Sequence, residues 1–190
     1  MLLEINQIGN NYEVIDKKRK SIIFEGSWVN NLNNTSAKFS DSIDGSTFTI
    51  KQKFVFPAFW KTYYLVANKE YEIKIKPKNI LKGHWQLILN QKNVYDYFLH
   101  LGNKSSLFKN SKQVARYINK RVTYLNRNSL NIQANDNESH MILIAFAIFL
   151  HLGENNFGNT ATLNLGNILF KSRKDDISWK PKSTTDKTLY

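Results

Sequence analysis

The sequence predicts a mainly β protein in which about twelve antiparallel strands form a barrel around one hydrophobic α-helix. Residues 140–153 are a nearly unbroken apolar segment, and the residues before them have the pattern of short strands separated by turn signals. No internal linker divides the chain. A sheet that closes on itself has no edges and encloses a dry interior, where a helix that is apolar on every side is stable.

The apolar segment, HMILIAFAIFLHLG, is predicted to form a core helix over residues of about 139 to 152. Every side chain from Met141 to Leu150 is apolar, Ser139 is one of several possible N-caps, and Gly153 is a possible C-cap. A helix of about fourteen residues is about 21 Å long, which is shorter than the bilayer core of about 30 Å. We therefore expect it to be surrounded by protein rather than by lipid.

Composition and length are those of one globular domain, which we assign to residues 1–170. Residues 171–190 are polar and charged and are predicted to be a flexible C-terminal tail. The absence of cysteine excludes disulfides, thiolate metal sites and cysteine nucleophiles. The first residues lack a basic stretch followed by an apolar one, so we expect a cytoplasmic protein.

Turn signals divide the first part of the chain into hairpins. Asn30–Ser36 is interpreted as a polar loop, and the basic run Lys17–Lys20 as a solvated turn rather than a binding site. The predicted strands are Leu2–Ile8, Tyr12–Ile15, Ser21–Trp28, Lys38–Ile43 and Ser46–Val55.

The remaining strands follow two distinctive stretches. Phe54–Trp60 is rich in aromatics and is expected to pack at a strand corner, the alternative being an exposed ligand or membrane contact. Thr62–Lys78 alternates like a half-buried strand whose lysines solvate its outer surface or protect an edge. Further strands are predicted at Trp85–Leu89, Asn93–Leu99, Ser106–Lys109, Gln113–Ile118 (strand or helical turn), Val122–Leu125 and Leu130–Ala134. Thr160–Phe170 is a possible additional strand.

Residue patterns typical of catalysis are missing from the sequence. None of the four histidines has the spacing of a known metal-ligand motif, and there is no paired-carboxylate, GxSxG or phosphate-binding glycine motif. We therefore predict a protein without enzymatic activity, resident metal or cofactor.

The positive charge is concentrated in the middle of the chain. The net charge is +12, and Ile73–Asn135 contains twelve basic residues but a single acid, Asp96. If neighbouring hairpins align these side chains, they form one positive surface that would bind an anionic ligand. The predicted binding residues are Lys104, Lys109, Lys112, Arg116, Lys120, Arg121 and Arg127.

The order of features near the helix resembles the closing section of LURP-one-related proteins. These features are YDYFLHLGNKSSLFKNSKQVA (Tyr95–Ala115), two strands within Val122–Ala134, an acidic turn, and then MILIAFAIFLHL. That family is grouped with phospholipid scramblases and the Tubby C-terminal domain, and the resemblance implies a twelve-stranded barrel around a hydrophobic helix. The present sequence departs from the family pattern in one respect. In the family the central helix usually lies close to the C-terminus, whereas here Glu154–Tyr190 still follow it.

The resemblance favours an anionic phospholipid or membrane surface as the partner, with the protein peripheral to the membrane. Nucleic acid is the alternative, because Phe108, Tyr117 and Tyr124 lie among the basic residues, as base stacking would require, although such aromatics also serve as core residues. Two further interpretations of the positive surface remain: the protein is a scaffold with an unidentified partner, or the charge serves only solubility.

Overall fold

The structure is a computed structural model. It describes residues 1–31, 34–53, 63–68, 72–79, 83–89, 92–100, 104–122, 127–148, 173 and 176–183. Side chains are described for all of these except residues 30, 31, 34, 35, 92, 93, 119–122, 127 and 128.

Twelve strands precede one helix. They are β1 (Leu2–Ile8), β2 (Asn11–Asp16), β3 (Ser21–Asn31), β4 (Asn34–Asp41), β5 (Thr47–Lys53), β6 (Tyr63–Ala67), β7 (Glu72–Asn79), β8 (His84–Leu89), β9 (Lys92–His100), β10 (Lys104–Lys109), β11 (Lys112–Val122) and β12 (Arg127–Ala134). The helix, α1, spans His140–Ala147.

All twelve strands form one closed antiparallel barrel, which confirms the predicted fold class. Each strand pairs with its neighbours in sequence, and β1 closes the ring by pairing with β12 from Leu2↔Gln133 to Ile8↔Arg127. Alternation along the strands fits this arrangement, because in β1 the side chains of Leu3, Ile5 and Gln7 are buried and those between them are not.

The helix lies in the barrel interior, as predicted. The six consecutive residues Leu143–Ile148 are each 1% exposed or less. At about 100° per residue these side chains point in every direction around the axis, so the helix is enclosed on all sides. Phe146 stacks on Tyr97 of β9, with ring centroids 5.1 Å apart and planes 3° from parallel.

Aromatic residues fill the part of the interior lined by β2, β4 and β5. Phe39 stacks on Phe48 at 5.1 Å, and its ring also contacts Tyr12 at 5.9 Å between centroids. Gly26 faces Phe39 across the β3–β4 ladder, and a Cβ at this position would overlap the Phe39 ring. A glycine in β3 is therefore required for this packing.

The turn before the helix is fixed by a buried carboxylate. Ser139 occupies the N-cap position without a side-chain hydrogen bond to the helix. Glu138 is 6% exposed and accepts a hydrogen bond of 2.6 Å from the Tyr95 hydroxyl. Burial, reinforced by this bond, raises the pKa of Tyr95 well above its usual value, so the hydroxyl remains a donor at physiological pH.

Residues Asp176–Ser183, which we call the C-terminal strap, lie against the outside of the barrel. Trp179 Nε1 donates a hydrogen bond of 3.0 Å to the Gln113 carbonyl of β11. The Lys182 amide donates one of 2.8 Å to Asn135 Oδ1 in the turn before the helix. Residues 176–183 thus contact the barrel wall, and the flexible C-terminal tail predicted for residues 171–190 stays a prediction.

Two local predictions differ from the structure. The described part of Asn30–Ser36 is strand and not loop, because the β3–β4 ladder continues to the pair Asn31↔Asn34, while residues 32 and 33 lie outside the described residues. Val122 does not begin a new strand, because Lys112–Val122 is one continuous strand that pairs with β12 as far as Val122↔Arg127; residues 123–125 lie outside the described residues.

Other predictions lie outside the described residues. These are the aromatic stretch 54–60, the helix residues beyond Ile148 with their C-cap, and the possible strand 160–170.

Replacing Phe146 with Ala removes a ring that no backbone shift can replace inside the closed wall. We expect Phe146→Ala to lower the free energy of unfolding by about 3 to 5 kcal/mol, measured by urea denaturation. The control is Ile43→Ala in the β4–β5 turn, where the side chain is 77% exposed and the expected change is within about 0.5 kcal/mol. Equal losses for the two variants would show that Phe146 is not a core residue.

Candidate anion-binding surface

Antiparallel strands alternate in direction, so the two ends of the barrel are built from different turns. The helix-entry end, where α1 enters the barrel, carries the turns after even-numbered strands, including 17–20, 42–46 and 135–139. The far end carries the turns after odd-numbered strands, including 9–10.

The two ends differ in charge. At the far end, the two terminal residues of each strand include five basic residues and no acid; they are Lys53, Lys78, Lys104, Arg121 and Arg127. At the helix-entry end, the same positions include three basic and three acidic residues; they are Lys92, Lys109, Lys112, Asp16, Asp41 and Glu72. The excess positive charge of the strand ends is thus at the far end.

At the helix-entry end, three of the four basic residues in the turn Lys17–Lys20 lie next to carboxylates. The Lys17 ammonium lies 2.9 Å from Glu4, and the Lys18 ammonium lies 3.9 Å from Asp136. The Arg19 guanidinium lies 3.7 Å from Asp16. These pairs are largely exposed, so they contribute little to stability, but they reduce the net field of this turn.

A cluster of five exposed lysines, here called the lysine wall, lies on the outside of β5 and β7. In both strands the lysines alternate with buried residues such as Ile50 and Ile75, so all five face outward. The strands are separated only by β6, which places their backbones about 10 Å apart. The members of the lysine wall are Lys51, Lys53, Lys74, Lys76 and Lys78.

The lysine wall has no carboxylate partners among the described residues. None of its five ammonium groups takes part in the ion pairs found in the described part of the chain. Lys74 instead places Nζ 3.8 Å from the centre of the Tyr63 ring, a cation–π contact. The lysine wall is thus a surface of exposed cations without ion pairs among the described residues.

The alternation within Thr62–Lys78 predicts that the β7 lysines solvate an outer surface or protect a strand edge. Edge protection does not apply, because β7 pairs with β6 on one side and with β8 on the other. The contribution of Lys51 and Lys53 was missed altogether. The alternating KQK and KIKPK patterns contained the signal, since consecutive hairpin strands are neighbours in a meander.

The structure divides the sequence-predicted binding residues among three places. Lys109 and Lys112 face each other across the β10–β11 ladder at the helix-entry end. Arg116 lies in the middle of β11, where it donates a hydrogen bond to the Asp176 carbonyl of the strap. Lys104, Lys120, Arg121 and Arg127 belong to the strand segments nearest the far end, and of these only the Lys104 side chain is described, as exposed.

The two described aromatics among these basic residues, Phe108 and Tyr117, do not provide stacking platforms. Tyr117 is completely buried in the barrel core. Phe108 is 4% exposed and lies under Arg173, whose guanidinium carbon is 3.8 Å from the ring centre. Tyr124 lies outside the described residues.

The described histidines have structural contacts. His84 Nε2 lies 2.7 Å from Asp96 and its ring stacks on Phe98, while His100 Nε2 lies 2.9 Å from the Ser106 hydroxyl. Within the described ranges, no three His, Asp or Glu side chains come together as a metal site would require. His151 lies outside these ranges.

A cavity of about 340 Å³ opens at the helix-entry end beside His140. Its walls combine the apolar Phe24 and Ile43 with both acidic and basic residues. Two of its carboxylates are used within their own turns, since Asp16 accepts from the Lys18 amide at 2.8 Å and Asp41 from the Ile43 amide at 2.7 Å. The cavity therefore lacks the single sign of charge that distinguishes the far end.

No protein-family model matches this chain, and no curated protein or solved structure matches it significantly. Within the described residues, no helix combines the length and the apolar character that a membrane span requires.

His140 gives the helix-entry end a pH dependence that can be measured. Burial lowers the pKa of His140, an effect partly opposed by Asp16 and Asp41, so the unfolded chain binds this proton at a higher pH than the folded protein. Its contribution to stability is complete above a pH of about 6.5 and is lost as the pH falls from there towards the lowered pKa.

We therefore expect wild type to lose more unfolding free energy than His140→Gln between a pH of about 7.5 and about 5.5. Urea denaturation at the two pH values measures the difference. Parallel losses in the two proteins would contradict a lowered pKa.

Proposed function

We propose that this barrel is a non-enzymatic protein that binds an anionic phospholipid surface through the lysine wall and the far end. The observation that carries the proposal is the difference in charge: the lysine wall has no ion pairs among the described residues, whereas at the helix-entry end Lys17, Lys18 and Arg19 lie next to carboxylates and the strand ends carry as many acids as bases. Solubility alone would be served equally well by cations spread over the whole surface.

The energy of such binding is built up from many small contributions. Each Lys or Arg near an anionic membrane contributes about 1 kcal/mol within a screening length of about 10 Å at 0.1 M salt. The five lysines of the lysine wall on β5 and β7, together with Lys104 at the far end, therefore suffice for measurable attraction. Because acids are concentrated at the other end, the field also orients the barrel with its helix-entry end away from the lipid.

Lipid is favoured over nucleic acid as the partner. Binding of single-stranded nucleic acid relies on stacking of bases on exposed aromatics, and neither Phe108 nor Tyr117 is exposed. Attraction to a charged lipid surface needs no such platform. Phosphate backbones present the same charge, so nucleic acid is retained as a measured alternative.

The lipid proposal agrees with the resemblance to LURP-one-related, Tubby and scramblase-like proteins, whose implied barrel and central helix are the fold observed. Membership of that group remains a hypothesis, since no family model supports it. The corresponding location is cytoplasmic and peripheral to the membrane.

The test compares two variants with the same change in net charge. The first, Lys53→Gln/Lys76→Gln/Lys78→Gln, removes three exposed cations from the lysine wall. Loss of about 3 kcal/mol should weaken binding to phosphatidylserine-containing liposomes roughly a hundredfold in co-sedimentation at about 0.1 M salt. Neutral phosphatidylcholine liposomes should not bind the wild type.

The control, Lys18→Gln/Lys20→Gln/Lys112→Gln, removes three exposed cations from the helix-entry end and should retain most of the wild-type binding. Equal weakening of both triple variants would show that net charge alone acts, and absence of wild-type binding to anionic liposomes would refute the proposal. Stronger binding to duplex or single-stranded DNA than to liposomes at about 0.15 M salt would replace it with the nucleic-acid alternative.

A further inference from the structure

The C-terminal strap lies on the outside of the barrel at the helix-entry end, and the surface that it contacts is here called the groove. The groove consists of Gln113 and Arg116 of β11 and of the turn residues Asn135 and Asp136. Arg173, which precedes the strap, donates a hydrogen bond of 2.9 Å to the Ser111 carbonyl at the tip of the β10–β11 hairpin.

Most contacts in this groove are made with the backbone of the strap. Arg116 donates to the Asp176 carbonyl, and the Lys182 amide donates to Asn135 Oδ1 at 2.8 Å. The Asp136 amide donates to the Lys182 carbonyl at 3.2 Å. Contacts of this kind give affinity without selecting the sequence of the bound segment, as in other modes of peptide recognition.

Side-chain recognition in the groove rests on Trp179. Its indole Nε1 donates to the Gln113 carbonyl at 3.0 Å, and the Arg116 guanidinium carbon lies 5.9 Å from the ring centre. The Ser183 hydroxyl also contacts the groove, at 3.2 Å from the Asp136 carboxylate. Trp179 is therefore the anchor of the strap.

The strap is held more weakly than the barrel itself. Ile177 is 83% exposed and Pro181 is also exposed, so no apolar side chain other than Trp179 is partly buried there. Each polar contact contributes about 0.5 to 1.5 kcal/mol net, whereas opening of the barrel requires loss of the core. Local release of the strap is thus much less costly than unfolding.

We infer that this part of the wall is a peptide-binding groove for a tryptophan-bearing segment of a partner protein, and that the strap occupies it in cis. A partner segment must offer backbone groups to Arg116, Asn135 and Asp136, as the strap does, and must place an indole where Trp179 lies. The cis occupant acts as a competitor at millimolar effective concentration, so the groove is accessible to partners that bind more tightly or when the strap is loosened.

The experiment uses the full-length chain and a labelled synthetic peptide with the sequence of residues 173–183, followed by fluorescence anisotropy at about 0.15 M salt. Trp179→Ala should loosen the cis strap and allow the peptide to bind saturably, whereas wild type should bind it at least tenfold more weakly. A peptide with Ala in place of the tryptophan should bind the variant roughly thirtyfold more weakly. Adding Arg116→Ala to the variant should also weaken binding of the original peptide.

Hydrogen exchange on the wild-type chain provides a second readout that does not depend on the variant's folding. The Lys182 amide should exchange much faster than the Ile132 and Tyr117 amides of the barrel ladder. Exchange at the same rate as these ladder amides would overturn the inference, because the strap would then be an inseparable part of the fold. Equal affinity of Trp179→Ala for the tryptophan and alanine peptides, or equal binding by wild type and variant, would also overturn it.

Discussion

The fold depends on the enclosure of a helix that has no polar face. Leu143–Ile148 can be kept from water on all sides only if the surrounding sheet has no gap, and the β1–β12 pairing closes that gap along the whole of β1. The two elements therefore require each other: without α1 the barrel would contain a cavity, and without closure the helix would be exposed. Sequence-distant strands must pair before the interior becomes dry, so the barrel and its helix should form cooperatively.

A filled interior confines recognition to the outside of the barrel. Outward-facing positions are not constrained by packing, so a row of like charges such as Lys74, Lys76 and Lys78 costs the fold little. The same freedom allows acids to collect at the helix-entry end, where Asp16 and Asp41 also stabilise their turns by accepting backbone amides. The charge separation is thus compatible with the fold without being required by it, and for this reason the proposed function is based on it.

The helix, the number of strands and most hairpins could be predicted from sequence because their signals are local: an apolar run, alternation and turn residues. The candidate site could be predicted only in part. Lys104 and Lys109 are close in sequence, but a six-residue strand carries them to opposite ends of the barrel. Conversely, Lys51 and Lys74 are far apart in sequence, but they lie in one row across the sheet because each pairs with Leu65 of β6, one from either side. The strap was missed because polar composition does not reveal that Trp179 has an acceptor on the wall.

The contact between the Phe146 and Tyr97 rings is the most direct test of this account. The two side chains belong to the helix and to the wall, and they meet only if the helix lies inside the closed barrel, with centroids 5.1 Å apart. NMR spectra of the folded protein should show nuclear Overhauser effects between the two rings, together with ring-current shifts of both. A folded protein in which these effects are absent and Phe146 is accessible to a soluble paramagnetic probe would contradict the central claim.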